Sequence, residues 1–311
     1  MKILIAEDDA VSRRLLERTL VRLGHEVVAV GDGSEAVQML LAPDAPRLAI
    51  LDWMMPGADG LAVCREVREK AASYIYVILL SAKDRHEDMI TGLDAGADDF
   101  LTKPLNAVEL RARLHSGARV IDLQERLLAA QEALRIEATH DHLTGLVNRR
   151  MIMHHLTREL NRARHEGRSV VVALVDLDHF KAVNDAHGHA AGDTVLFETA
   201  SRMRAAVRAY DFVGRYGGEE FLLVLPGADA NTGHAIAERV RARVADDPVR
   251  AGLASPLCIS VSVGVAWTGT AGLEPHAIVA AADAALYRAK ANGRNRVESD
   301  AGEESEVTQD A

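Results

Sequence analysis

The chain has 311 residues and a formal net charge of −10 without a basic stripe, so DNA is not expected as its output partner. Its 48% hydrophobic and 26% charged residues are ordinary for a globular protein, and the length predicts two domains, each with its own core. No apolar run approaches the ~20 residues that a membrane helix needs. The start, MKILIAEDD, turns acidic too early for a secretory signal. The two cysteines, Cys64 and Cys258, match no metal or disulfide spacing, so we expect a reduced, cytoplasmic compartment.

The first third of the chain alternates short apolar runs with stretches of helical periodicity. The helical stretches include VSRRLLERTLVRLG and GLAVCREVREK. The apolar runs cover residues 2–6, 26–30, 48–51, 75–80 and 98–101. Strands alternating with helices predict an α/β domain with a doubly wound parallel sheet, in which functional groups gather beyond the carboxyl ends of the strands.

Polar residues stand at the ends of these predicted strands. Glu7 and Asp8 end the first, Asp52 the third and Ser81 the fourth, and Lys103 follows the fifth. Carboxylates held together repel one another unless a hard cation neutralises them, and oxygen ligands suit Mg²⁺. One carboxylate can then attack a phosphoryl group while the lysine and the serine hold the transferred oxygens. Acids at strand ends can also be ordinary loop residues, but the coincidence of all five positions favours a site.

With these residues and the stretch LDWMMPGADG, residues 1–118 resemble the receiver domain of bacterial response regulators. The resemblance implies a flavodoxin-like fold and phosphorylation of Asp52 by a cognate histidine kinase. It implies an Mg²⁺ site formed by Glu7, Asp8, Asp52 and the main-chain carbonyl of Met54, and switch roles for Ser81, Phe100 and Lys103. Phe100 is also compatible with a place in the core.

The segment from residue 105 to residue 139 stays helical in pattern without a strong breaker. Its apolar residues recur at spacings of three and four, as in a coiled coil, although over only about two heptads: Val120, Leu123, Leu127, Ala130 and Leu134. The alternative is a helix packed against its own domain. Because the apolar seam lies between two compact domains, we predict that residues 119–139 are a linker that forms a dimer stalk.

The second half begins its regular pattern with SVVVALVDLDHFK at 169–181, an apolar strand that runs into Asp176 and Asp178. A second strand leads into RYGGEEF at 215–221, EFLLVLP is its hairpin partner, and CISVSVGVAW at 258–267 alternates as a fourth strand. Helices, including residues 190–209 and 232–245, separate the strand pairs. This order predicts an α+β sandwich with a mostly antiparallel sheet.

Two adjacent glutamates follow the glycine pair of RYGGEEF. Alone, this is an ordinary solvated hairpin, because Gly-Gly favours tight turns. In the predicted sheet, however, the first strand can lie beside the hairpin, so that Asp176 faces Glu219 across adjacent strands. Metal ions held by such a carboxylate cluster stabilise the attacking and leaving oxygens of an in-line phosphoryl displacement, which predicts nucleotidyl transfer.

Residues 140–298 resemble the GGDEF domain of diguanylate cyclases along their whole length, from DHLTGLVNRR at 141–150 to YRAKANGRNRV at 287–297. The resemblance implies a nucleotidyl-cyclase-like fold and the conversion of two GTP to cyclic di-GMP and two pyrophosphates. Each domain would hold one GTP, so the active species is expected to be a homodimer or a higher homo-oligomer under receiver control. Residues 299–311 are predicted to be an acidic disordered tail.

The same resemblance implies roles for individual residues. Mg²⁺, with Mn²⁺ as a substitute, would be bound by Asp176, Glu219 and the main-chain carbonyl of Leu177, and Glu219 would also help deprotonate the attacking 3′-hydroxyl. The residues expected to bind GTP are Leu143, Phe180, Lys181, Asn184, Asp193, Gly217, Gly218, Lys290 and Arg294. Within this set, Asn184 and Asp193 would read guanine. Phe180 as a core residue and Lys181 as a surface lysine stay open as alternatives, and Glu220 has a supporting role.

An RxxD sequence, Arg208-Ala209-Tyr210-Asp211, precedes Gly217 with five residues between them. Many GGDEF proteins carry an inhibitory product site at this offset, so Arg208 and Asp211, with Arg239, are predicted to bind cyclic di-GMP as a feedback inhibitor. The alternative is a surface ion pair.

A different class of function also remains: a phosphorylation-dependent scaffold that binds cyclic di-GMP or GTP without turnover. The intact GGEEF, with Asp176, Lys290 and Arg294, favours the enzyme. A transcription factor is not favoured, because no helix-turn-helix candidate follows the receiver.

Overall fold

The computed structural model describes residues 1–82, 86–252 and 255–300, apart from the side chains of residues 86–89 and 270–271. The chain divides into two compact units, Met1–Glu132 and the part that begins at Ala133. Of the tail predicted at residues 299–311, Ser299 belongs to a strand, and residues 301–311 lie outside the described residues.

The first unit contains a five-stranded, wholly parallel sheet of order β2-β1-β3-β4-β5. Its strands are β1 (Lys2–Ala6), β2 (Glu26–Val30), β3 (Leu48–Asp52), β4 (Tyr76–Ser81) and β5 (Asp99–Thr102). Its helices are α1 (Ala10–Arg22), α2 (Gly33–Leu40), α3 (Gly60–Lys70), α4 (His86–Asp94) and the start of α5 (Ala107–Thr139). The predicted doubly wound receiver fold is confirmed.

The central strands of this sheet are buried on both sides. Every residue of β3 and β4 is buried, and separate apolar clusters lie on the two faces of the sheet. A strand covered on both faces has no need to alternate, which is why these segments are continuous apolar runs in the sequence.

Three helices in this unit have an aspartate as the N-cap residue. Asp9, Asp32 and Asp59 accept hydrogen bonds from main-chain N–H groups in the first turns of α1, α2 and α3, at 2.6–2.7 Å for the shortest of each. These caps start the helices close after the strands, so the residues between strand and cap stay at the carboxyl edge of the sheet.

Helix α5 is long and changes character along its length. Leu110, Leu114, Gly117 and Ile121 are buried in the first unit. The predicted seam beyond them is largely exposed in this single chain, at 58% for Leu123, 53% for Leu127 and 64% for Leu134.

The second unit is built on a five-stranded sheet of order β10-β9-β6-β8-β7. Its strands are β6 (Val170–Leu177), β7 (Phe212–Arg215), β8 (Glu220–Pro226), β9 (Val261–Trp267) and β10 (Val297–Ser299), and its helices are α6 (Arg149–Glu166), α7 (Phe180–His187), α8 (His189–Ala206), α9 (Ala230–Ala245), α10 (Thr268–Ala271) and α11 (Pro275–Ala291). The pairings are antiparallel except that of β10 with β9. The predicted α+β fold is confirmed, and β10 is an addition that the sequence pattern did not indicate.

Strand β6 is the centre of the second unit, since all eight of its residues are buried and apolar clusters cover both faces of the sheet. Helix α11 lies directly against β9: a Cβ built on Gly264 would come within 2.1 Å of the main-chain oxygen of Ala282. This close approach fixes the position of α11, whose last turn carries Lys290.

In the described part of the chain, no helix combines the length and the hydropathy needed to cross a membrane.

Candidate phosphorylation and active sites

Three carboxylates meet at the carboxyl edge of the first sheet. Glu7 and Asp8 follow β1, Asp52 ends the neighbouring β3, and ligand oxygens from the three lie within 4.8 Å of one another. Glu7 is only 2% exposed and Asp52 only 7%. The structure therefore brings together the three acids that the sequence placed at strand ends, and their oxygen-rich donor set fits a hard divalent cation.

Lys103 lies against this cluster. Its Nζ is 2.6 Å from Glu7 Oε2 and 3.0 Å from Asp52 Oδ2. Burial raises the pKa of Glu7, and the hydrogen bond from Lys103 offsets part of that rise. Burial alone would lower the pKa of Lys103, but its bonds to Glu7 and Asp52 outweigh this, so its pKa is raised and the ammonium stays charged. The lysine therefore neutralises part of the acidic charge.

The remaining predicted receiver residues lie around the cluster. Ser81 is buried at the end of β4, and its main-chain oxygen accepts a hydrogen bond from the Lys103 N–H at 2.8 Å. Phe100 is half-buried and meets Trp53 edge to face, with ring centroids 6.5 Å apart, so it packs on the core. The Met54 side chain is 70% exposed.

In the second unit, Asp176 and the GGEEF hairpin lie on adjacent strands, but the register differs from the prediction. The residue opposite Asp176 in β8 is Glu220. Glu219 lies one residue before β8, where its main-chain oxygen accepts from the N–H of Leu177 at 3.3 Å. The predicted direct pairing of Asp176 with Glu219 was wrong, because Glu219 belongs to the turn. The hydrogen bond from the Tyr216 N–H to the Glu220 main-chain oxygen, at 2.8 Å, closes this turn.

Burial raises the pKa of the two carboxylates that face each other at the end of the β6–β8 pair. Burial raises the pKa of Asp176, which is 7% exposed, against the lowering effect of Lys290, whose Nζ lies 2.9 Å from Asp176 Oδ2. Burial also raises the pKa of Glu220, and the charge of Asp176 raises it further. Lys290 therefore supplies a positive charge directly beside the buried Asp176.

The predicted guanine-reading residues lie on α7 and α8. Asn184 Oδ1 is buried and has no hydrogen-bond partner among the described residues, so an acceptor is available there for an N–H donor. Asp193 is exposed, and Leu143 is partly buried against the apolar core.

The predicted phosphate-binding residues differ in their exposure. Phe180, 9% exposed, belongs to the apolar core, whereas Lys181, Arg294 and Gly218 are exposed. Gly217 is partly exposed, and a Cβ built on it would lie 2.7 Å from Glu220 Oε2.

Arg215 connects the beginning of the second unit to the GGEEF turn, a role that the sequence analysis missed. Its Nη1 donates to both oxygens of Asp141 at 3.1 Å, while its Nε and Nη2 donate to the Gly218 oxygen at 3.1 and 2.7 Å. Burial would raise the pKa of Asp141, but hydrogen bonds from Thr144 and Arg215 lower it overall. One guanidinium thus ties the segment after α5 to the turn that carries Glu219.

The RxxD residues do not form the surface ion pair considered above. Asp211 is 1% exposed, and its Oδ2 accepts from the main-chain N–H of Arg208 at 2.9 Å. Its Oδ1 has no partner within the described ranges. The Arg208 guanidinium donates instead to the Tyr210 hydroxyl at 2.9 Å, and Arg239 Nε donates to the Ala206 oxygen at 2.6 Å.

A groove of about 650 Å³ lies beside this sequence. Four arginines are among the residues that line it: Arg158, Arg162, Arg168 and Arg208. Glu159 and Glu166 also line the groove and form ion pairs with Arg158, Arg162 and Arg168, so the positive charge of the groove is partly neutralised.

Comparison with known proteins agrees with this architecture. Residues 138–296 match the family described as diguanylate cyclase, GGDEF domain, and residues 3–115 match the response regulator receiver domain. The chain belongs to the GGDEF diguanylate cyclase family. The predictions of a receiver joined to a GGDEF domain, and of an enzyme of this class, are confirmed by these matches.

Relatives of this chain share either both domains or the cyclase part. The response regulator PleD of Caulobacter vibrioides is 28% identical over 95% of this chain and 98% of its own length. The diguanylate cyclase DgcP of Pseudomonas aeruginosa is 42% identical, over 54% of this chain and 25% of its own.

Solved structures resemble the cyclase part of this chain. The coiled coil and GGDEF domain of DgcB from Caulobacter crescentus, in complex with c-di-GMP, has a TM-score of 0.53 and 34% identity over 61% of this chain and 98% of that one. The diguanylate cyclase SiaD of Pseudomonas aeruginosa, in complex with its activator SiaC, has a TM-score of 0.51 and 41% identity over 61% of this chain and 73% of that one.

Proposed function

We propose that this chain is a cytoplasmic enzyme that condenses two GTP molecules into cyclic di-GMP and two pyrophosphates, and that phosphorylation of Asp52 controls the reaction. The observation that carries the proposal is the convergence of the buried Asp176, the GGEEF turn and Lys290 at one end of the β6–β8 pair. Carboxylates and a lysine gathered at a glycine turn suit the transfer of a nucleotidyl group.

The proposed metal ligands are all oxygen donors, as Mg²⁺ prefers. In the receiver they are Glu7, Asp8, Asp52 and the main-chain oxygen of Met54; in the cyclase they are Asp176, Glu219 and the main-chain oxygen of Leu177. Mn²⁺ would suit the same donors. When bound, the ion supplies neutralisation of negative charge on carboxylate and phosphate oxygens.

The residues of the chain then hold the substrate and move one proton. Lys290 and Arg294 attract the triphosphate, and the acceptors of Asn184 and Asp193 bind the N–H groups of guanine, which adenine lacks at these positions. Glu219 takes the proton of the 3′-hydroxyl. At the same time, the oxygen of that hydroxyl bonds to the α-phosphorus of the GTP held by a second copy. The bond from that phosphorus to the bridging oxygen breaks, and pyrophosphate leaves with the electron pair. The second 3′-hydroxyl repeats the step and closes the ring.

This chemistry requires two cyclase domains, which gives the receiver a means of control. A phosphoryl group on Asp52 would contact Lys103 and Ser81 and change the surface through which receivers pair. Exposed apolar residues of α5 supply a seam along which two chains can associate. The Asp141–Arg215–Gly218 connection supports transmission from the end of α5 to the GGEEF turn.

Product feedback is proposed at the RxxD residues. The unpartnered Asp211 oxygen, the partly exposed Arg208 and the arginine-lined groove beside them support binding of a guanine nucleotide with phosphate groups. Arg239 would add a second guanidinium. A ligand that bridges two cyclase domains here would hold their active sites apart.

The reaction is tested by incubating the purified chain with GTP and Mg²⁺ and quantifying the products. Cyclic di-GMP and pyrophosphate should form in a ratio of 1:2. Glu219→Gln should lower the initial rate by about 10³-fold, because it removes a ligand and a proton acceptor, whereas Glu274→Gln, on an exposed glutamate, should not. GTP binding without pyrophosphate release would identify the scaffold instead.

A further inference from the structure

Asp178 is a buried carboxylate that has no role in the reaction described above. It lies two residues after Asp176 and is 8% exposed. Its Oδ1 accepts from Ser262 Oγ at 2.7 Å, and its Oδ2 accepts from Ser260 Oγ at 2.7 Å and from the Asn295 main-chain N–H at 3.0 Å. Within the described part of the chain, no lysine or arginine nitrogen lies within 4.0 Å of it. Three neutral donors therefore hold this carboxylate.

The donor from Asn295 belongs to a turn with an unusual backbone. Gly293, Arg294 and Asn295 have consecutive positive φ values of 111°, 61° and 46°. Residues other than glycine rarely adopt this conformation unless surrounding contacts impose it. Here the N–H of Arg294 donates to the Ala289 oxygen at 3.0 Å, and Asp178 holds the next N–H.

This turn determines where the Arg294 side chain leaves the main chain. Since Asp178 directly follows β6, the same strand end supplies Asp176 and the anchor of the arginine turn. A shift of the Asn295 N–H away from Asp178 would release the left-handed conformation and redirect Arg294.

We propose that Asp178 is a positioning residue that holds Arg294 in the orientation needed to bind the triphosphate of GTP. The inference rests on the proposed function, in which Arg294 attracts the phosphates. Asp178 does not touch the nucleotide, and its effect on binding passes through the Asn295 N–H.

The chain offers variants that separate this role from general stabilisation. Asp178→Ala removes all three acceptor contacts. Asp178→Asn can keep the contacts, since its amide oxygen can accept from Ser260 and Asn295 while its amide N–H donates to Ser262 Oγ. Ser262→Ala removes one buried hydrogen bond from the same carboxylate but leaves the contact with Asn295.

The test measures the Kd of 3′-deoxy-GTP, which cannot be cyclised, in the presence of Mg²⁺ on the full chain, together with thermal unfolding. Arg294→Ala and Asp178→Ala should each raise Kd about tenfold, and the double variant should bind no more weakly than Arg294→Ala alone. Asp178→Asn and Ser262→Ala should bind within about twofold of the unsubstituted chain.

The outcomes distinguish this proposal from the one on which it rests. If Arg294→Ala binds normally, the phosphate role of Arg294 in the proposed function is wrong. If Arg294→Ala weakens binding but Asp178→Ala does not, or if their effects multiply, the positioning role is overturned. Should Asp178→Ala fail to fold, Asp178→Glu keeps the charge but displaces both oxygens. It should also raise Kd, and normal binding by it would overturn the proposal.

Discussion

Gly192 keeps open the space in which the Asn184 amide lies. A Cβ built on Gly192 would come within 1.9 Å of Asn184 Oδ1 and 3.2 Å of Phe180 Cζ. Since the Asn184 oxygen is buried and has no partner in the described ranges, displacing it should remove an acceptor that guanine can use.

Gly192→Ala should therefore raise the Kd of 3′-deoxy-GTP about tenfold. The substitution should not destabilise α8 itself, because alanine favours a helix more than glycine does. Isothermal titration measures the binding and chemical denaturation the stability. Ser201→Ala, on an exposed position of the same helix, is the control and should bind normally. Unchanged affinity in Gly192→Ala would mean that Asn184 does not contact the base.

Asp211 predicts a pH dependence of stability. Burial raises its pKa above the ordinary 3.8, and the hydrogen bond from the Arg208 N–H offsets only part of the rise. The folded state therefore binds this proton more tightly than the unfolded state, and the contribution of Asp211 to stability falls as pH rises from about 3.8 through the raised pKa.

Asp211→Asn removes this titration while its amide oxygen can still accept from Arg208. The free energy of unfolding of the variant, relative to that of the unsubstituted chain, should increase between pH 3.5 and pH 7. Urea unfolding at a series of pH values measures the difference. If the free energy of unfolding of the variant, relative to that of the unsubstituted chain, fell over this range, the charge of Asp211 would instead stabilise the folded protein.

At the scale of elements, strands covered on both faces were the most predictable part of the fold. β3, β4 and β6 are continuous apolar runs, so their positions and the polar residues at their ends could be predicted from local pattern. The register of β8 against β6 could not, because the two strands are distant in the chain and no local spacing aligns them. Glu220, rather than Glu219, therefore lies opposite Asp176.

Contacts between distant segments were the least predictable part of the site. The donors to Asp178 lie 82, 84 and 117 residues further along the chain, so no local spacing in the sequence predicts these contacts. β10 has only three residues and pairs with a strand more than thirty positions earlier, which leaves no periodic signal. The burial of Asp211 also depends on tertiary packing.

Helix α5 carries a prediction that uses two neighbouring leucines. Leu127 and Leu128 are similarly exposed, at 53% and 50%, but only Leu127 belongs to the predicted seam. Leu127→Lys should weaken self-association about tenfold or more and lower the rate of cyclic di-GMP formation at low protein concentration, because a charge would be placed in the stalk interface. Leu128→Lys should leave both unchanged. Analytical ultracentrifugation and initial rates measure the two effects, and equal effects of the two variants would exclude this seam.

At the scale of the whole molecule, the proposed function places the phosphoacceptor in one unit and catalysis in the other. The receiver holds Asp52 among Glu7, Asp8 and Lys103, and the proposed reaction requires two copies of the chain. The connection between them is therefore expected to be a change in assembly, so activity and oligomer mass should change together.

The most direct test measures the initial rate of cyclic di-GMP formation and the oligomer mass on the same sample, with and without beryllofluoride as a phosphoryl mimic. Asp52→Asn is the matched control, since asparagine nearly preserves the shape of the site but lacks the carboxylate. We predict that beryllofluoride raises the rate and the mass together in the unsubstituted chain and changes neither in Asp52→Asn, which keeps its basal rate. A rate that does not respond, or that responds equally in Asp52→Asn, would contradict control through Asp52.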